Sequence, residues 1–280
     1  MDRLTLGYSP CPNDTFIFHA MTHGLIQTRG LSFAVVHEDV ETLNQWAVQG
    51  QLDSTKLSFA ALGRVLDRYA LLKTGAALGN GCGPLIVGRP ETDLPRLCQE
   101  PAVIAIPGEM TTAFLLLSLF MPDGAPYTWK PMPFDRIMPT VSAGDADLGL
   151  IIHESRFTYA DHGLICLVDL GEWWEASTGK PIPLGGIVVR RDVDPEIARS
   201  LETLIGESID YAWAHPEVSA DYIRAHAQEM APDVIRQHIG LYVNPFSRNL
   251  GDDGRAAVET LFAKAAERGL FPADLPPLFF

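Results

Sequence analysis

One histidine stands where an apolar segment turns polar. In the stretch LGLIIHESRFTY, His153 directly follows the strand-like residues 148–152. Imidazole is the side chain whose unperturbed pKa lies nearest neutrality, so it is suited to removing a proton at physiological pH. Because neighbours on a strand point to opposite faces, Ser155 is a better partner for this ring than Glu154. The pattern indicates a general base; the alternative is a histidine that only serves the structure of a polar loop.

A second polar stretch, SPCPNDTF, connects a strand-like segment to a helix-like segment. Backbone N–H groups at the start of a helix attract anionic or carbonyl oxygens, and two prolines restrict this turn to one shape. Asn13 and Asp14 would present polar groups to a ligand there. Either residue is also a favoured N-cap, so helix capping alone explains one of them.

Two further segments carry hydroxyl and amino groups at the ends of predicted strands. Thr111 and Thr112 open an apolar helix after the strand at 102–107, where their hydroxyls and the free N–H groups could hold a carboxylate. Capping explains one of the two threonines. In STKLSF, alternation places Lys56 and Ser58 on one face of a short strand. The usual alternative for such a lysine is a salt bridge at the surface.

Motifs typical of cofactor and metal enzymes are missing from the sequence. GNGCG does not open a helix as GxGxxG does, and no P-loop, HExxH or GxSxG occurs. The four cysteines, Cys11, Cys82, Cys98 and Cys166, are far apart without CxxC spacing, which argues against zinc and is typical of a reducing compartment. We therefore expect neither a metal nor an organic cofactor.

The charge balance restricts the possible partners. The 280 residues include 35 Asp+Glu and 21 Lys+Arg, for a net charge of −14, and this field repels a phosphate backbone. No apolar run reaches the roughly 18 residues that a membrane helix needs. The first residues lead straight into a strand without the basic and apolar regions of a signal peptide. We expect a cytoplasmic protein that binds neither nucleic acid nor membrane.

Alternation of strand-like and helix-like segments predicts an α/β fold with a largely parallel sheet. Two lobes are expected, one formed by residues 1–89 with 183–280 and a helical tail, the other by the inserted residues 90–182. Ligands in such folds bind at the carboxyl ends of strands, so we expect the ligand cleft between the lobes. Trp173 and Trp174 are adjacent on a predicted helix and cannot both face inward.

Seven stretches together resemble the 1,4-dihydroxy-6-naphthoate synthase family of the futalosine route to menaquinone. They are LGYSPCPNDTFIFHA, EDVETLNQWA, TKLSFAAL, GCGPLIV, IPGEMTTAFLLLSL, LGLIIHESRFTY and DLGEWWEASTGKPIPLGG. The resemblance covers nearly the whole chain in the same order. It implies a two-lobed fold like the type II periplasmic binding proteins, here cytoplasmic and catalytic.

The same resemblance implies a carbon–carbon lyase that needs no cofactor. Its small-molecule substrate is cyclic dehypoxanthine futalosine, which is cleaved to 1,4-dihydroxy-6-naphthoate and a sugar-derived fragment. The proton acceptor of the family falls on His153. Its substrate contacts fall on Lys56, Leu57, Ser58, Thr111 and Thr112.

Three alternatives stay open from the sequence. A sister family with the same fold dehydrates chorismate in the same pathway, and the stretches SPCPNDTF and HESRFTY favour the synthase over it. A non-catalytic solute-binding protein should carry an export signal and has no need of a base. The effector module of a transcription regulator should be attached to a DNA-binding segment.

Overall fold

The computed structural model describes residues 2–97, 99–227 and 231–280, and it divides into two compact units. The first unit comprises Met1–Gly79 and Pro183–Phe280, and the second comprises Asn80–Ile182. The inserted unit thus begins at Asn80, and the predicted start at residue 90 is wrong. The reason is that the strand Leu85–Gly88 forms its hydrogen bonds inside the sheet of the inserted unit.

The chain alternates strands and helices over most of its length. The strands are β1 (Asp2–Tyr8), β2 (Leu31–His37), β3 (Ser54–Ser58), β4 (Tyr69–Leu71), β5 (Ala77–Gly79), β6 (Leu85–Gly88), β7 (Ala102–Ile106), β8 (Tyr127–Pro131), β9 (Leu148–Ile151), β10 (Ile165–Asp169) and β11 (Ile182–Arg190). The helices are α1 (Pro12–Thr22), α2 (Val40–Gln49), α3 (Phe59–Val65), α4 (Leu94–Leu97), α5 (Thr112–Phe120), α6 (Phe134–Ala143), α7 (Ser155–Thr158), α8 (Leu170–Thr178), α9 (Pro195–Ala214), α10 (Ala220–His226), α11 (Pro232–Tyr242), α12 (Pro245–Arg248) and α13 (Gly251–Glu267), with a 3₁₀ turn at Tyr159–His162.

The sheet of the first unit is mixed. Its strand order is β2-β1-β3-β11-β4, and β5 also pairs with β11. Strands β2, β1 and β3 are parallel, whereas β11 is antiparallel to both β3 and β4. The prediction of a largely parallel sheet is therefore wrong at β11. This strand enters the sheet directly from the inserted unit, with no crossover helix to bring it in parallel.

Helix α1 lies inside the first unit. It packs against α9, α10 and α11, and every residue from Pro12 to Met21 is buried. Phe16, Ile17 and Phe18 join a core cluster with residues of β1, β11 and α9. Because α1 is buried on all sides, its polar residues Asn13 and Asp14 must find hydrogen-bond partners within the protein.

The sheet of the inserted unit has the order β10-β6-β9-β7-β8. Strands β9, β7 and β8 run parallel, and β6 is antiparallel to both of its neighbours. Its core lies between this sheet and α6, where Ile137 and Val141 pack against Val87 and Ile151. The strand β8 was not predicted from the sequence.

Several helix ends follow the capping preferences of single residues. Asp39 caps α2 by accepting hydrogen bonds from two backbone N–H groups, and α2 ends at Gly50 in the left-handed conformation. Asp194 caps α9, whose first residue is Pro195.

Of the adjacent tryptophans, Trp174 is fully buried and donates to the Pro181 carbonyl at 3.2 Å, while Trp173 packs edge-on against Phe120.

The described cysteines, Cys11, Cys82 and Cys166, are not in disulfide bonds, and Cys98 lies outside the described residues. Burial raises the pKa of the Cys82 thiol to about 12, so this group stays protonated at neutral pH.

Among the residues that the structure describes, no helix combines the length and the apolar character that crossing a bilayer requires.

Candidate active site

In the first unit, the predicted residues lie at the carboxyl ends of two neighbouring strands. Strands β1 and β3 pair in parallel, with Leu6 opposite Ser54 and Gly7 opposite Thr55. Their carboxyl ends therefore lie at the same edge of the sheet. The turn before α1 follows β1 at this edge, and Lys56 and Ser58 occupy the last residues of β3.

Asp14 does not cap α1. The N-cap is Cys11, which makes no side-chain capping bond, so the interpretation of Asn13 or Asp14 as the cap is wrong. Asp14 instead lies at the third helical position and reaches back to Ser9. Its Oδ2 accepts from the Ser9 hydroxyl at 2.7 Å and from the Ser9 backbone N–H at 3.2 Å. Both of these donors come from Ser9, the residue before the first proline of the turn.

The other oxygen of Asp14 contacts the two remaining polar groups of this cluster. Oδ1 accepts from Lys56 Nζ at 2.9 Å and from Asn13 Nδ2 at 2.8 Å. Within the part of the chain that the structure describes, the Lys56 ammonium donates to Asp14 alone. An ammonium has three N–H donors, so two remain for an oxygen-rich ligand.

A histidine from the C-terminal segment completes this cluster. His238 of α11 is buried, and its Nε2 lies 2.9 Å from Asn13 Oδ1. Because Asn13 uses its NH₂ group to donate to Asp14, its oxygen faces His238 and must receive the proton of Nε2. The sequence did not point to His238, because nothing near it in the chain suggests a partner 225 residues away.

Ser58 and Leu57 differ in which of their groups could contact a substrate. Ser58 accepts from Asn44 Nδ2 at 3.1 Å, and its backbone N–H donates to Asn44 Oδ1 at 3.0 Å. Among the described residues, the Ser58 hydroxyl has no acceptor of its own, so its proton can be given to a ligand. The Leu57 side chain is buried in the core. Only the backbone of Leu57 could therefore contact a substrate.

In the inserted unit, the other predicted residues also follow neighbouring parallel strands. Strand β7 pairs in parallel with β9, with Ile104 opposite Leu148. The residues after β7 and after β9 therefore lie at one edge of this sheet. Thr111 and Thr112 follow β7, and His153 follows β9. The topology thus brings a base and two hydroxyl residues to the same edge.

Thr111 is committed to the backbone. As the N-cap of α5, it accepts from the Phe114 N–H at 3.2 Å and donates to the Gly108 carbonyl at 2.8 Å. Thr112 is the first residue of α5 and is buried. The predicted capping role of one threonine is confirmed for Thr111.

His153 has an unusual backbone. Its φ is +57°, and Arg29 is the one other non-glycine residue with positive φ in the described ranges. The left-handed region costs a side-chain-bearing residue roughly 1 kcal/mol or more, and such residues are found disproportionately at functional sites. Because β9 ends at Ile151, strand alternation does not apply at His153, and the argument for Ser155 over Glu154 loses its basis. The Phe134 ring meets the imidazole edge-on at 5.1 Å.

Arg156 fixes the turn that contains His153. Its Nη1 donates to the Gly83 carbonyl at 2.7 Å, and its Nη2 donates to Asp169 Oδ2 at 2.5 Å. Asp169 also caps α8 through its other oxygen, which accepts from the Gly171 N–H at 2.7 Å. A Cβ atom on Gly83 would lie 2.2 Å from the Gly171 nitrogen, so only glycine fits there. The arginine thereby ties α7 to the ends of β6 and β10.

Chemically, each unit offers its own set of polar groups. The inserted unit holds an imidazole on a restrained turn and a helix start with hydroxyl residues. The first unit holds an ammonium whose position is set by Asp14, together with the Ser58 hydroxyl. Such groups can remove a proton and hold an anionic oxygen.

Comparison with known proteins identifies close relatives over the full length. Residues 4–267 match the family model described as "Menaquinone biosynthesis". A Thermus thermophilus protein named "1,4-dihydroxy-6-naphtoate synthase" is 50% identical over 279 residues, covering 100% of both chains. A Streptomyces coelicolor protein of the same name is 46% identical over 276 residues, covering 97% of this chain and 96% of the relative.

Two solved structures share the fold of this chain. Protein AF1704 from Archaeoglobus fulgidus superposes with a TM-score of 0.89 at 34% identity, covering 96% of this chain and 98% of that one. The periplasmic aliphatic sulphonate-binding protein SsuA from Escherichia coli superposes with a TM-score of 0.67 at 12% identity, covering 98% and 90%. The second likeness shows the fold alone, which is that of the periplasmic binding proteins.

The family match and the two full-length relatives make this chain an enzyme of menaquinone biosynthesis. The predicted family resemblance is confirmed. The chain belongs to the menaquinone-biosynthesis family, among the 1,4-dihydroxy-6-naphthoate synthases.

Proposed function

We propose that this enzyme converts cyclic dehypoxanthine futalosine to 1,4-dihydroxy-6-naphthoate, with His153 as the general base. The observation that carries the proposal is the backbone of His153, held at φ +57° after β9 in a chain that is 50% identical to a named synthase. A side chain that is presented at an energetic cost, on a turn tied down by Arg156, is suited to a fixed proton-transfer geometry.

In the proposed reaction, the imidazole of His153 removes the acidic proton next to the ketone of the substrate. The electron pair of that C–H bond moves into an enolate. The bond to the sugar fragment then breaks, and the fragment leaves with the electron pair of that bond and takes up the proton held by His153. Tautomerisation of the remaining ring to the aromatic naphthalene drives the reaction forward. This sequence asks the protein for a base and for groups that stabilise a developing oxyanion.

The oxygens of the substrate are assigned to the remaining polar groups. Lys56 has two N–H donors and Ser58 has one O–H donor that the described residues do not use. We assign these donors to the substrate carboxylate or the oxyanion. Thr111 and Thr112 are assigned to the same task through the start of α5, and Leu57 through its backbone. Asn13 and Asp14 are assigned to orienting Lys56.

Replacing His153 tests the mechanism. The His153→Ala variant should lose about 10²–10⁴-fold in turnover, the contribution of a positioned general base, while still binding the substrate. Turnover is measured as 1,4-dihydroxy-6-naphthoate formed, and binding by calorimetry. His162 is an exposed histidine of the same unit, and His162→Ala is the matched control that should keep full activity. Unchanged turnover in His153→Ala would remove His153 from the mechanism.

The substrate is tested by a direct comparison of two compounds. The wild-type enzyme should consume cyclic dehypoxanthine futalosine and leave chorismate unchanged. Consumption of chorismate instead would assign the chain to the dehydratase step of the same pathway. Binding of the first compound without turnover would indicate a binding protein.

We also propose that the enzyme works in the cytoplasm. The described cysteines, Cys11, Cys82 and Cys166, are not in disulfide bonds, which supports a reducing compartment, where disulfides are rare. Fractionation of cells that express the tagged protein measures this directly, and recovery in the cytoplasmic fraction is the expected result.

A further inference from the structure

A chain of hydrogen bonds crosses the first unit from its C-terminal helices to Lys56. It runs from His238 of α11 through Asn13 and Asp14 of α1 to Lys56 of β3, with donor–acceptor distances of 2.9, 2.8 and 2.9 Å. All four side chains are buried. Buried polar groups in such a chain hold each other in one arrangement, because every alternative leaves a donor or an acceptor without a partner.

The donors and acceptors of this hydrogen-bond chain can be arranged favourably in only one direction. Lys56 can only donate and the Asp14 carboxylate can only accept, so Asn13 must turn its NH₂ group toward Asp14 and its oxygen toward His238. Rotating the Asn13 amide by 180° would place its oxygen against the carboxylate. In this orientation the proton on His238 Nε2 satisfies the buried oxygen of Asn13, so Asp14 and His238 together fix the amide.

We propose that His238 is a positioning residue for substrate binding, acting through Asn13 and Asp14 on the Lys56 ammonium. This inference rests on the proposed function, which assigns two donors of Lys56 to the substrate. His238 itself need not touch the substrate. Its loss leaves the buried oxygen of Asn13 without a donor, so the Asn13 side chain moves to find one and weakens its own hydrogen bond, one of the four that hold the Asp14 carboxylate. The Lys56 ammonium then samples positions in which its remaining donors miss the substrate oxygens.

The test compares His238→Leu with His238→Gln in the full-length enzyme, with cyclic dehypoxanthine futalosine as the substrate. His238→Leu removes the donor and should raise KM about threefold to tenfold, the fold-change that corresponds to one neutral hydrogen bond. The kcat value should change by less than about twofold. His238→Gln carries an amide donor at a similar reach, and it should restore most of the wild-type KM.

This pattern separates positioning from stability. A purely structural role for His238 would lower the fraction of folded enzyme, which lowers the apparent kcat and leaves KM unchanged. Thermal unfolding of each variant gives the folded fraction at the assay temperature. His215 is exposed at the end of α9, and His215→Leu is the control that should alter neither constant.

Asn13→Ala breaks the same hydrogen-bond chain at its middle. This variant provides the test of the proposed positioning role if His238→Leu does not fold. It should raise KM at least as much as His238→Leu, and the double variant should show no further increase, because the two residues act along one route. Additive effects in this cycle, or a wild-type KM in a folded His238→Leu variant, would overturn the inference. Failure of the proposed function appears separately, as absence of product with the wild-type enzyme.

Discussion

Asp14 and Lys56 form an ion pair inside the protein, with Nζ 2.9 Å from Oδ1 and only 1% and 7% of the respective side chains exposed. Removing two charges from water is costly, and their mutual attraction offsets this cost only when further hydrogen bonds satisfy the ions. Asp14 meets this condition, since it also accepts from Ser9 twice and from Asn13 once. The pair is thus a fixed feature of the fold, and it presents an ammonium of defined position.

Removing the cation of this pair should destabilise the enzyme strongly. We expect Lys56→Met to lower the free energy of unfolding by about 3–5 kcal/mol, because it leaves the Asp14 carboxylate buried without its counter-ion. Adding Asp14→Asn to that variant should recover part of the loss. Chemical denaturation measures both values. The Arg29–Glu207 pair is 42% and 38% exposed, so Arg29→Met should cost at most about 1 kcal/mol. Equal losses in Lys56→Met and Arg29→Met would contradict this account.

The sequence was informative wherever a local rule decides the structure. Asp39 before α2, Gly50 after it and Thr111 before α5 follow the capping preferences of single residues. Asp14 has the same local preference, yet Lys56, which is distant in the chain, and the backbone of Ser9 determine its role. Those partners meet only because β1 and β3 are neighbours in the sheet, which no local pattern encodes.

The contrast between local rules and contacts distant in the chain also explains which features around the candidate base His153 the sequence did not predict. The residue type and its position after an apolar strand indicated His153. Its left-handed backbone and the contacts of Arg156 with Gly83 and Asp169 depend on the pairing of β6 with β9 and β10. His238 was missed for a similar reason, since its partner Asn13 lies near the other end of the chain.

The left-handed backbone of His153 gives a prediction about stability. Glycine adopts positive φ without a steric penalty, so His153→Gly should be more stable than His153→Ala by about 1 kcal/mol. Both variants should lose turnover by about 10²–10⁴-fold. The comparison at His162, in the 3₁₀ turn, provides the control. There His162→Ala should be the more stable of the two, because glycine costs more backbone entropy in a regular turn. An Ala variant that is the more stable one at both positions would show that His153 is not strained.

The hydrogen bonds that Arg156 makes to Gly83 and Asp169 should affect kcat. A lysine keeps the charge but cannot reach the Gly83 carbonyl and the Asp169 carboxylate together, because it lacks the planar fork of arginine. We expect Arg156→Lys to lower kcat about tenfold to hundredfold, since small displacements of a catalytic group are costly. Steady-state kinetics measure this loss. Arg136→Lys, on the exposed surface of α6, should leave kcat unchanged. A kcat in Arg156→Lys equal to that of wild type would mean that the His153 turn holds its shape without the arginine.

Four histidines surround Tyr222 in the first unit. The rings of His19, His23 and His226 lie 4.4–5.0 Å from the tyrosine ring, and His37 Nε2 lies 2.9 Å from its hydroxyl. Burial and the charge of His23 lower the pKa of His19, and burial with the charges of His226 and His23 lowers the pKa of His37. Tyr8 also contacts the Tyr222 hydroxyl, and burial raises the pKa of both phenols, which stay neutral. His19 and His37 are therefore the groups of this cluster whose pKa is lowered.

This cluster should make the enzyme lose stability in mild acid. Unfolded imidazoles take up protons near pH 6.5, whereas His19 and His37 in the folded enzyme do so only at lower pH. Between those values the unfolded state binds more protons, so the free energy of unfolding is fully present above about pH 6.5 and decreases as pH falls through the folded pKa values. Two such groups limit the slope to about 2.7 kcal/mol per pH unit.

Chemical denaturation at a series of pH values measures this slope. His19→Gln and His37→Gln should each flatten the dependence, while His215→Gln, at the exposed position that follows α9, should not. A slope that survives both substitutions would assign the acid sensitivity to groups outside this cluster.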